Sequence, residues 1–164
     1  MVTIKAFPHA DFLCQMERLG EGEPLLGTPT LSPSLSGMLL AAGGTGVLTK
    51  AAGCLMQLLK AQKAVWQASL DGELVAAELR RYQKFAKPGQ PSPHIVQLRQ
   101  RQAAARQASS VSRQAFIKAA MAFVREAGLE VPPRVALEAF MAGWIEANIP
   151  VDSVPAAPAR QRAD

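Results

Sequence analysis

The chain has 164 residues and a formal net charge of +5, with 49% hydrophobic but only 5% aromatic side chains. That length supports a single core, built here from Leu, Ala, Val and Met, and few β-branched runs among many Ala, Leu, Gln, Arg and Glu predict helices. Two separated cysteines exclude a disulfide framework, and their lack of ligand spacing argues against a structural zinc site.

Cys14 and Cys54 read as isolated buried thiols. The first residues lack the charged region, apolar run and small-residue cleavage site of a secretory signal, so the expected setting is cytoplasmic. Residues 9–19 predict a short helix with Phe12, Leu13, Met16 and Leu19 on one face and Gly20 as its stop. Residues 20–36, punctuated by Gly and Pro, predict a long loop.

Residues 35–59 carry Lys50 as their single charge, a length that invites a membrane reading. Lys50 sits near the centre, where a charge is costly, and five glycines thin the apolar character, so a membrane is disfavoured. Gly44-Thr45-Gly46 lacks the third glycine and the second acidic strand of a nucleotide fold, which leaves a glycine break between helices.

Residues 47–70 predict a helix with a broad apolar face that includes Leu55, Leu58, Leu59 and Trp66. Asp71 is a candidate cap for a second helix, with Glu73 and Glu78 near its start and four cations near its end, an order that suits the helix dipole. Ser92 and Pro93 form a cap and first-turn pair for the next helix. Residues 94–127 hold no Gly or Pro and keep helical phase, but Ser109-Ser110-Val111-Ser112 is a weak patch where a bend or a fresh start is equally expected. Gly128 and Pro132-Pro133 turn the chain into a last helix over 134–148. The long, proline-paired turn and the acidic, apolar second helix argue against a helix-turn-helix reader of DNA. Residues 150–164 read as a flexible Pro/Ala-rich tail.

Charge is distributed unevenly along this layout. Residues 79–125 contain ten basic side chains and no carboxylate, while the rest of the chain sets eight Lys/Arg against all thirteen Asp/Glu. The candidate nucleic-acid-binding residues are Arg80, Arg81, Lys84, Lys87, Arg99, Arg101, Arg106, Arg113 and Lys118. Arg99, Arg106 and Arg113 recur every seven residues, so a continuous helix aligns them in a row drifting by about 20° per heptad. A guanidinium row suits phosphate oxygens, which it grips in a bidentate way. The competing explanation is a solvated face, or one paired internally with Glu73, Glu78, Glu138 or Glu146. Near these cations only Tyr82 and Phe85 are aromatic, so phosphate contact is better supported than base stacking.

His9 and His94 have no Cys, Asp or Glu at base or ligand spacing, so neither enzyme activity nor a cofactor or metal is expected. The expected fold is all-α: one irregular bundle of five to seven helices over 1–149, including a long or bent basic helix, followed by the tail. The expected function is non-enzymatic binding of DNA or RNA through its phosphates. The alternative is a protein–protein adaptor or assembly subunit of a larger secretion-type or viral-type complex. Its partner would be an acidic protein surface or, as a homo-oligomer, a second copy of the chain.

Overall fold

The computed structural model describes residues 6–21, 35, 37–38, 48–90 and 92–152. Among these residues the fold is all-α, with four helices: α1 (Ala10–Gly20), α2 (Lys50–Gln83), α3 (Pro93–Ala127) and α4 (Leu137–Asn148). Among the described residues the four helices fall below the expected five to seven because two anticipated breaks do not occur. Most of the 20–36 loop, the glycine break at 43–46 and the tail from residue 153 lie outside the described residues.

The first missing break is at Asp71. Its carboxylate accepts from Gln67 Nε2 at 3.0 Å, one turn back, instead of capping a new helix. α2 therefore runs through Asp71 and Gly72 for 34 residues. The second is at the serine patch. Ser112 Oγ donates to the Ser109 carbonyl at 3.0 Å, a bond that keeps the hydroxyl within the helix. α3 is thus one helix of 35 residues, roughly 50 Å at 1.5 Å per residue.

Both long helices begin on side-chain caps. Thr49 Oγ1 accepts from Ala52 N at 3.1 Å and donates to Met38 O at 2.6 Å, which ties the start of α2 to the preceding segment. Ser92 Oγ accepts from Ile95 N, with Pro93 in the first turn of α3, as its sequence predicts. α3 ends at Gly128, which takes φ 65°, while Leu129 N donates to Val124 O to close a Schellman turn. α4 starts at Leu137, later than expected, because residues 132–135 form a turn closed by Val135 N donating to Pro132 O.

α2 and α3 form an antiparallel hairpin, contacting at one end through Lys50–Glu126 and at the other through Tyr82–His94. α1 and α4 pack at the first end only. There Phe12, Leu13 and Met16 of α1, Leu35 of the segment before α2, Leu55, Leu58 and Leu59 of α2's start, Phe116 and Phe123 of α3, and Met141 and Ile145 of α4 bury one core. Phe123 and Trp144 meet with ring centroids 5.1 Å apart. At the other end, Leu79, Ile95 and Leu98 form a separate small cluster drawn from α2 and α3 alone. The hairpin therefore continues as a two-helix arm beyond the four-helix base.

Two further expectations change. Cys14 is exposed on α1 and Cys54 half-buried, so neither is the buried thiol predicted. Residues 150–152, assigned to the flexible tail, are fixed to the N-terminal turn. Asp152 N donates to Pro8 O at 2.7 Å, Asp11 N donates to Asp152 Oδ1, and buried His9 places Nδ1 3.0 Å from Pro150 O. No helix among the described residues is long and apolar enough to cross a membrane.

Candidate polyanion-binding surface

The arm has a heptad seam. On α3 the inward positions are Ile95, Leu98, Gln102, Ala105, Ser109, Ser112, Phe116, Ala119 and Phe123, alternating steps of three and four. On α2 the matching distal positions are Ala68, Gly72, Val75, Leu79 and Tyr82. The middle of this seam is made of small or polar side chains and buries little apolar area; a Cβ added at Gly72 would meet nothing within 4 Å.

The seam has two flanks of different electrostatic character. On one, α2 contributes Asp71 and Glu78 and α3 contributes His94 and Arg101. Glu78 Oε2 lies 3.6 Å from Arg101, and its Oε1 lies 3.8 Å from His94 Nε2. On the other, α3 contributes Arg99, Arg106 and Arg113, while the register places Ser69, Ala76 and Gln83 of α2 beside them. A shallow depression of about 350 Å³ opens on this second flank, lined by Ser69, Gly72, Ala76, Ala105 and Ser109, with Arg80 and Arg106 at its rim. Glu73 also lines it, yet forms no ion pair within 4.0 Å among the described residues.

All nine candidate cations are exposed, but they do not form one patch. Arg113 is bound to Glu138 of α4: its Nε donates at 2.8 and 3.1 Å and its Nη2 at 2.9 Å. These hydrogen bonds raise the Arg113 pKa and hold the Glu138 carboxyl below its ordinary value. Arg101 is paired with Glu78. Lys118 lies on the outer face of α3 near the base, about 28 Å along the helix from Arg99. The remaining six, Arg80, Arg81, Lys84, Lys87, Arg99 and Arg106, gather on the distal half of the arm. No carboxylate among the described residues comes within ion-pair distance of them.

Arg80, Arg81 and Lys84 occupy the C-terminal end of α2, where cations also complement the helix dipole. The expected internal pairing is thus partial: Glu78 and Glu138 each neutralise one arginine, whereas Glu73 and Glu146 form no ion pair among the described residues. Tyr82 and Phe85, the aromatic residues near the cations, stand open to solvent at the end of α2. Tyr82 is 44% and Phe85 82% exposed, and Val96 beside them is 41% exposed. A usable signal was present, because Tyr82 is the last seam position before α2 ends at Gln83 and Phe85 follows just past that end.

Neither histidine stands free, since His9 faces the Pro150 carbonyl and His94 lies between Tyr82 and Glu78. Among the described residues no group of three or more His, Cys, Asp or Glu is placed to hold a metal ion. Comparison with family models, with curated proteins and with solved structures yields no match to this chain.

Proposed function

We propose that the arm is a non-enzymatic binding device that lays uncompensated cations along a polyanion, most directly the phosphate backbone of DNA or RNA in the cytoplasm. The observation that carries this reading is the difference between the flanks. Where Glu78 is available Arg101 is consumed, and where Glu138 is available Arg113 is consumed. Arg99 and Arg106 sit where the register offers Ser69, Ala76 and Gln83 instead. Exposed guanidinium groups held in no ion pair remain open to phosphate oxygens, with Glu73 as the one carboxylate on the rim beside Arg80 and Arg106 among the described residues.

The direct test is binding of a fluorescent oligonucleotide across a salt series. Phosphate contact predicts affinity that falls steeply and linearly on logarithmic axes as salt rises. Glu73→Gln, which removes the carboxylate from the Arg80–Arg106 rim, should tighten binding. Absence of binding at low salt, or indifference to salt, refutes the reading.

A second reading, an adaptor or assembly subunit, is favoured by the thin arm seam and by Val111 and Met121 standing 59% and 61% exposed on α3. Light scattering separates the two: an obligate oligomer supports assembly, and a monomer that retains oligonucleotide supports polyanion binding.

A further inference from the structure

The far end of the arm combines two features that plain backbone contact does not require. Phe85 is the most exposed large apolar side chain among the described residues, at 82%, and it sits where α2 has just ended. Tyr82, one turn earlier, is held edge-on against His94 with ring centroids 4.3 Å apart and planes inclined at 70°. Beside these rings lies a depression of about 280 Å³, lined by Tyr82, Phe85, Lys87, Gln90, Ser92 and Ile95. Arg81 stands one helical turn below Phe85, with Lys84 adjacent and Lys87 on the rim; none of the three has an ion-pair partner among the described residues.

We propose that this tip is a stacking platform for unpaired nucleobases, so that the arm takes single-stranded DNA or RNA in preference to duplex. The inference rests on the polyanion reading and narrows it. An aromatic face offered beside cations satisfies both halves of a nucleotide at once: the ring stacks on the base while the ammonium and guanidinium groups meet the flanking phosphates. Gln90 and Ser92 supply amide and hydroxyl groups at the edge of the same depression, within reach of a base seated there. A duplex keeps its base faces stacked on one another and leaves nothing for Phe85 to cover. A lipid surface fits less well. Besides Phe85 the large apolar side chains exposed at the tip, among the described residues, are Tyr82 and Val96, each only in part, whereas interfacial insertion needs a broad continuous apolar face.

The test compares fluorescence anisotropy of labelled oligothymidine, oligouridine, a duplex of equal length, and polyphosphate as a competitor without bases. The variants are Phe85→Ala, Phe85→Leu and Phe85→Trp. Phe85 is so exposed that substitution should leave the helical circular dichroism unchanged. Wild type should bind both single strands more tightly than duplex. Phe85→Ala and Phe85→Leu should lose on the order of fivefold to 100-fold on single strands, with little change on duplex or in competition by polyphosphate, and Phe85→Trp should restore binding. A Phe85→Ala protein that binds single strands as wild type does overturns the platform, and leaves the polyanion reading standing if Arg99→Glu/Arg106→Glu still abolishes binding. Absence of wild-type binding to every nucleic acid overturns both. Phe85-dependent binding to phosphatidylserine vesicles without a single-strand preference also overturns the platform.

Discussion

Two carboxylates, Glu78 and Glu138, decide which of the candidate cations remain open to a partner. Glu138 illustrates the energetics. Its carboxyl is held below its ordinary value first by the hydrogen bonds from Arg113, against an opposing effect of burial, with the charge of Arg113 adding to the lowering. A carboxyl whose native pKa is depressed contributes stability that is present above its unfolded value and is lost as pH falls through the native one. Arg113 is 64% exposed, so the contribution is screened and small. Thermal melts should therefore show Glu138→Gln slightly below wild type at neutral pH. The gap should persist down to the ordinary carboxylate range and close as the pH drops further. A gap that survives at the lowest pH would mean that the substitution acts through packing of α4 instead. The sequence offered Glu78 and Glu138 among four candidate partners, but not which of them would pair or with which arginine. Whether a carboxylate meets a cation 25 residues away depends on how α4 returns along α3, and composition carries no information about that.

At the scale of elements, the hairpin depends on its caps and on a seam that tolerates weak helix formers. Gly72 and Gly128 are the same residue in opposite roles. Gly72 lies within α2 in ordinary helical conformation, and a methyl group added there would touch nothing within 4 Å. Gly128 terminates α3 at φ 65°, in the region that disfavours a Cβ. Urea unfolding should find Gly72→Ala more stable by about 0.5–1 kcal/mol and Gly128→Ala less stable by about 1–2 kcal/mol. Equal signs for the two would contradict the assigned conformations. The caps at Ser92 and Gly128 could be read directly from residue order, as could the phase of α3. Asp71 and Ser112 misled because both are good caps in isolation. In the fold their side chains bond one turn back, and the continuous seam of Ala68, Gly72, Val75 and Leu79 outweighs a local preference for stopping.

At the scale of the whole molecule, the chain separates stability from charge. The four-helix base buries Leu55, Leu58, Leu59, Phe123, Met141 and Ile145 completely, or nearly so. Among the described residues the arm buries Ala68 and Val75 along its seam and the small cluster of Leu79, Ile95 and Leu98 at its far end, and carries six cations without an ion-pair partner. The sequence made the charge segment plain, and it placed Arg99, Arg106 and Arg113 on one line. It could not divide that line, because Arg113 falls beside α4 at the base while the other two lie on the free arm. The measurement that bears most directly on this division is the slope of log affinity against log salt for one oligonucleotide, compared between two sets of neutralised variants. Arg80→Gln/Arg99→Gln/Arg106→Gln removes arm cations, and Lys50→Gln/Lys60→Gln removes base cations. The arm set should flatten the slope by about two to three units, with the base set superimposing on wild type. A slope unchanged in the arm set, or flattened equally by the base set, would contradict the arm as the site of polyanion contact.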